Sequence, residues 1–164
     1  MKIFDLLQKG LYEIKATLLG NSDIRKLVFH DTIDALENIQ VSTENVDDHI
    51  VISPIFDMNQ EPFNKNTIIS IALNRASFED DTVMTSSIIK INVLTQSTLW
   101  KLNNNLIRPL QISNLIIDLL NNRKFSSSHK MSFISLELAI LDEKVNGYTL
   151  SFYLHEGSGI LDEY

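Results

Sequence analysis

Between His49 and Gln96 the chain carries three β-branched runs, HIVISPIF, NTIISIALNR and SSIIKINVLTQ, and no other feature narrows the fold as much. Valine, isoleucine and threonine lose little by sitting on a pleated, half-buried surface, so three strands are predicted here. The stretches that join them, DMNQEPFNKN and ASFEDDTVMTS, are strongly polar and longer than tight hairpin turns. They are expected to project as loops, Asp57 to Asn66 and Ala76 to Ser87. A sheet of this kind must bury one face against another layer, which here has to be helical.

The rest of the chain supplies that layer. Phe4, Leu7, Leu11, Ile14 and Leu18 recur at steps of three and four, which places one apolar stripe along a helix that Gly20-Asn21 suits as a stop. Ser22 or Asp23 is expected to cap a second, short helix through Ile24, Leu27 and Val28. From Asp31 to Asp48 no regular element is predicted, beyond single turns that Thr32 and Ser42 could cap. After Gln96, Pro109 would interrupt a continuous helix but is tolerated at a first helical position. A third helix is therefore expected to start there and to present Leu110, Ile112, Leu115, Ile116, Leu119 and Leu120 toward the sheet. Asn121-Asn122, Arg123 and Lys124 suit its end.

The segment MSFISLELAILDE alternates imperfectly but reads as a strand, and Asn146-Gly147 is predicted to turn it into a last strand, YTLSFYLHE. The resulting fold class is α+β, a mainly antiparallel five-stranded sheet with helices packed on it, in the order α-α-β-β-β-α-β-β. Its 164 residues suit one domain. That domain is placed at 1–156, with 157–164 as a flexible or contact-making tail.

Composition excludes several chemistries. Without cysteine there is neither a disulfide framework nor a thiolate metal site. A net charge of −7 with a pI near 5.0 opposes gripping a phosphate backbone. No stretch approaches the roughly 20 apolar residues of a spanning helix, and charges at Asp5, Lys9, Glu13 and Lys15 interrupt any leader-like run. The expectation is a protein without membrane contact that stays in the cytoplasm of the cell that makes it.

The four histidines, His30, His49, His129 and His155, share no ligand spacing, and no glycine-rich phosphate cradle or GxSxG elbow occurs. His30-Asp31 and His155-Glu156 read as surface polar pairs, because neighbouring residues point in different directions. Asp142-Glu143-Lys144 is the sharpest catalytic alternative, that of a small metal-dependent nuclease. The same residues are an ordinary entry to the Asn146-Gly147 turn, and the acidic balance opposes the substrate. No catalytic residue, cofactor or metal is therefore assigned. Trp100 is read as a core plug whose indole N–H bonds a backbone carbonyl, with an interface anchor as the competing use. Trp100 and Arg108 flank Asn103 to Asn105 and are expected to fix the path into the Pro109 helix, so Trp100, Arg108 and Pro109 are the structural or interface candidates.

The segment WKLNNNLIRPLQISNLIIDLLNNRK, followed by FSSSHKMSFISLELAILDEKVNGYTLSFYLHE, resembles the tail-terminator and head-to-tail joining (neck) proteins of tailed bacteriophages. The likeness lies in Trp100, Leu102-Asn103, Ile107-Arg108-Pro109, the amphipathic helix ending in paired asparagines and the closing hairpin. It extends as a layout from the first helix to Glu156. It implies a non-enzymatic virion subunit, assembled in the host cytoplasm, that forms a ring, commonly sixfold, at the phage neck or tail end. The implied partners are further copies of the chain and the neighbouring virion proteins, with DNA passing without tight binding. Glu79, Asp80 and Asp81 are the candidate lumen loop of such a ring. A protein-binding adaptor using the same polar loops is the other reading.

Overall fold

The computed structural model describes residues 3–53, 66–79, 83–125 and 129–156. Three α-helices, α1 (Ile3–Gly20), α2 (Ser22–Phe29) and α3 (Arg108–Leu120), lie on a five-stranded sheet. The strands are β1 (Ile50–Ile52), β2 (Thr67–Glu79), β3 (Val83–Gln96), β4 (His129–Ile140) and β5 (Val145–Glu156). Their spatial order is β1-β2-β3-β5-β4. Only β1 runs parallel to its neighbour, and the other three pairings are antiparallel. The expected fold class and element order hold, with a mixed rather than wholly antiparallel sheet.

The inner face is set by register. Ile50, Ile69 and Val93 lie in one row, and Ile71, Ile91 and Leu150 in the next. These side chains are essentially inaccessible and join Leu7, Ile14 and Leu18 of α1, Ile24, Leu27 and Val28 of α2, and Ile112, Ile116 and Leu120 of α3 in one core. Of the predicted stripes, Leu7, Ile14, Leu18, Ile112, Ile116 and Leu120 are buried, Leu11, Leu115 and Leu119 are partly buried against the core, Leu110 is partly buried outside it, and the side chain of Phe4 lies outside the described residues. On the opposite face Ser70, Asn92 and Thr149 occupy one register row and form a ladder, Asn92 Nδ2 donating to Ser70 Oγ and the Thr149 hydroxyl to Asn92 Oδ1. A cross-strand polar row with satisfied partners needs no helical cover.

Several local expectations change. Asn21, not Ser22 or Asp23, caps α2, because its Oδ1 accepts from both Asp23 N and Ile24 N. The two single turns after α2, Ala35–Glu37 and Asp47–His49, are preceded by Asp34 and Val46 rather than by Thr32 and Ser42. The stretch read as a projecting loop at 76–87 is mostly ladder: β2 runs on to Glu79 and β3 begins at Val83, with bulges that absorb the irregular pattern. Backbone pairing to the opposite strand holds these polar residues extended, and β5 reaches only Ser86, so the tip is a two-stranded ribbon. Glu79 closes β2, whereas Asp80 and Asp81 lie outside the described residues, as does most of the 57–66 loop.

The closing hairpin turns earlier than expected. Leu141–Lys144 make the turn, and Asp142 Oδ1 accepts from Lys144 N and Val145 N, an aspartate turn that leaves Asn146 and Gly147 inside β5. Gly147 is glycine because β3 approaches it closely. A Cβ there would collide with the Val93 carbonyl.

Candidate assembly surface

The path from β3 into α3 is fixed by backbone geometry and by one buried cation. Asn104 and Asn105 both adopt the left-handed conformation, φ 59° and 60°, which asparagine tolerates better than most residues. They let the chain fold back so that Leu102 N bonds Leu106 O at 2.9 Å and Arg108 N bonds Trp100 O at 2.7 Å. Arg108 then begins α3 with Pro109 behind it, both buried. Its guanidinium donates from Nε to Leu99 O (2.9 Å), from Nη1 to Leu27 O (2.6 Å) and His30 O (2.7 Å), and from Nη2 to Thr32 O (2.6 Å). Two of those carbonyls belong to the last turn and cap of α2, where orphan acceptors and the negative end of the helix dipole favour a cation. Burial lowers the pKa of Arg108 from its usual value and Asp31 partly opposes the shift. The group remains charged at neutral pH because an arginine starts from so high a value.

Trp100 is half-buried rather than a plug in the core. Its ring lies 6.0 Å from that of Tyr148, tilted by 34°, and its Nε1 has no hydrogen-bond partner among the described residues. The expected bond from the indole to a backbone carbonyl is therefore not formed. The tryptophan instead ends at the border of the helical layer, since Tyr148 pairs in register with Leu138 of β4.

That border opens onto a surface missed from the sequence. In β4, Met131 and Phe133 face the core opposite Leu154 and Phe152. A bulge at Ile134 then shifts the parity, so that Leu136, Leu138 and Ile140 take the same face opposite Leu150, Tyr148 and Asn146. No helix among the described residues covers them: Leu138 is 60% and Ile140 70% exposed, and Ile134 and Leu136 are also exposed. The signal was present in MSFISLELAI as two apolar series of opposite parity, a bulge written as imperfect alternation.

Among the described residues, the outer edge of β4 is occupied only along its first part. Asn122 N donates to Met131 O (2.8 Å), Met131 N to Arg123 O (3.0 Å) and Phe133 N to Asn121 Oδ1 (3.1 Å). The segment Asn121–Lys124, turned by Asn122 at φ 64°, thus fills the place of a sixth strand beside residues 130–133. Beyond it, the bond from Leu141 N to Val145 O sets the alternation, and the backbone groups of Leu136, Leu138 and Ile140 point away from β5.

The remaining site candidates stay dispersed. His30 Nε2 lies 3.2 Å from Ile39 O and His155 Nε2 3.3 Å from Ser132 Oγ, each a local contact. His49 is buried, with Nδ1 2.9 Å from Thr67 O. The side chain of His129 lies outside the described residues. Among the described residues no three metal-ligating side chains converge, and no helix is long and apolar enough to cross a membrane. Asp142, the first residue of the nuclease alternative, spends one carboxylate oxygen on its own turn.

Residues 21–154, from the cap of α2 almost to the end of β5, match the protein-family model YomW. No curated protein matches the chain.

Proposed function

The chain belongs to the YomW family, which is of prophage type, and from that premise we propose that it is a structural subunit of a phage particle, built into a ring at the neck or tail end. The observation that carries the reading is the uncovered apolar surface. Ile134, Leu136, Leu138 and Ile140 leave water only if something packs on β4. A second exposed apolar area lies on the connector side of the molecule. There Ile33 and Leu106 line a shallow groove of about 190 Å³, and Ile107 is exposed beside it. A closed ring needs two different patches on each subunit, and these two have no residue in common.

The charge balance agrees with a channel through which DNA passes without being held. With 14 basic against 21 acidic residues, few cations are available to displace counterions from the phosphates. The subunit would act by position, joining tail to head, with no chemistry of its own. Electron microscopy of the purified protein, alone and with its neighbouring virion proteins, is expected to show closed rings, and antibody labelling is expected to place them at the neck or tail end. A protein that stays monomeric in particles, or decorates their outside singly, refutes the reading.

A further inference from the structure

We infer that β4 pairs with β4 of a second copy of this chain, antiparallel about a two-fold axis at Leu138, so that two sheets join into one of ten strands. The open part of the edge is short and apolar on its inner face, with Glu137 on the outer one, and its outward backbone groups belong to Leu136, Leu138 and Ile140. A two-fold at Leu138 sets Leu136 opposite Ile140 of the other copy, Leu138 opposite its counterpart and Ile140 opposite Leu136. Three apolar cross-strand pairs then cover each other on the inner face. On the outer face Glu137 falls opposite Ala139, so no carboxylate directly meets another. Moving the axis to Leu136 would instead oppose Leu138 with the bulged Ile134 and lose the match.

The ends of the slot select the same partner. Asn121–Lys124 already occupies the edge beside residues 130–133, so an incoming strand must leave the sheet by the position opposite Ile134. In this register that position faces Asp142, where the other copy's chain turns back through Leu141–Lys144 into its own β5. The turn carries the exposed Asp142 and Glu143 with Lys144 beside them, a net negative charge, and the blocking segment carries the exposed Arg123 and Lys124. Each copy therefore brings an acidic turn to the other's basic segment, twice by symmetry, and charge complementarity favours a second copy over an unrelated strand.

The contact is isologous and uses the β4 surface that the ring reading also draws on, so a ring that contains it is closed through the surfaces that remain, and the two readings can fail separately. The chain has no cysteine, which makes a single introduced thiol unambiguous. In full-length Leu138→Cys the two facing Cα atoms would lie about 5.5 Å apart, within disulfide reach. Mild oxidation is expected to give a covalent dimer, while Ser135→Cys, whose partner position is Leu141, gives none. By sedimentation, at concentrations below ring formation, the wild type is expected to be dimeric and Leu138→Lys monomeric, with the variant melting at the temperature of wild type diluted to dissociation. The inference is overturned by a monomeric wild type, by a Leu138→Lys protein that remains dimeric, or by equal cross-linking at Ser135→Cys. Rings of Leu138→Cys subunits that do not cross-link overturn it too, yet leave the ring reading standing. Loss of the dimer in Leu138→Lys with rings retained supports the pairing and leaves ring closure to surfaces other than β4.

Discussion

The two halves of β4 have the same kind of side chain and opposite fates. Met131 is wholly buried and Phe133 packs edge-on against Phe152 at 5.6 Å, whereas Leu138 and Ile140, on the same face a few residues later, stand mostly in water. Hydrophobicity does not separate them. What differs is cover: the end of α3 and the Asn121–Lys124 turn reach the first half, and the bulge at Ile134 keeps the second half aimed at a side where no helix arrives. Burial here is decided by the length and anchoring of a neighbouring helix, and a strand that outruns its cover becomes a contact surface.

The largest effect should come from releasing the cover. Arg108→Ala removes the donor for four backbone carbonyls and unties the start of α3 from the end of α2. Each buried acceptor left unpaired costs roughly 1–3 kcal/mol, and with partial relief by water the total should be about 3–5 kcal/mol in denaturant unfolding. Arg108→Lys should recover only part of it, because one ammonium cannot reach acceptors spread over Leu99, Leu27, His30 and Thr32. A loss under 1 kcal/mol would show that α3 is held in place by the core alone.

Within β4 itself the contrast becomes a direct measurement. Met131→Ala should destabilise the folded chain by about 2–4 kcal/mol, the range for truncating a buried side chain. Leu138→Ala, larger in hydrophobic area removed than its consequence, should change monomer stability by no more than about 0.5 kcal/mol, as exposed positions do. Measured at protein concentrations low enough to dissociate any assembly, equal losses at the two positions would mean that the second half of β4 is covered in the monomer.

Much of this architecture was legible in the residues. The β-branched runs between His49 and Gln96, the stripe through Leu7, Ile14 and Leu18 and the proline at the start of α3 are local signals, and each names its element. What could not be read was non-local. Asn146-Gly147 has the composition of a turn, but its glycine answers to the Val93 carbonyl on another strand, while Asp142 makes the turn. Ala76 to Glu79 read as loop because their polarity is visible and the ladder partner is not. Arg108 stands out in the sequence, but three of its four acceptor carbonyls lie 76 to 81 positions away in the chain, beyond any motif. The open edge of β4 was hidden by a parity change that reads as noise until the bulge is seen.

A smaller effect, at the same turn that Arg108 grips, tests whether a half-buried carboxylate contributes there. Asp34 has its pKa lowered, chiefly by the hydrogen bond from the Thr32 side chain, then by a backbone hydrogen bond, with Asn38 and the charge of His30 assisting and slight burial opposing. A carboxylate whose folded pKa lies below its unfolded value adds stability above the unfolded pKa and loses it as the pH falls through the folded one. Asp34→Asn should therefore unfold slightly more easily than the wild type at neutral pH. The difference should close as the pH is lowered through and below the ordinary carboxylate range, where Asp34 is protonated in both states. A difference that stays constant from neutral to acid pH would assign the effect to the geometry of the Thr32 turn and not to the charge of Asp34.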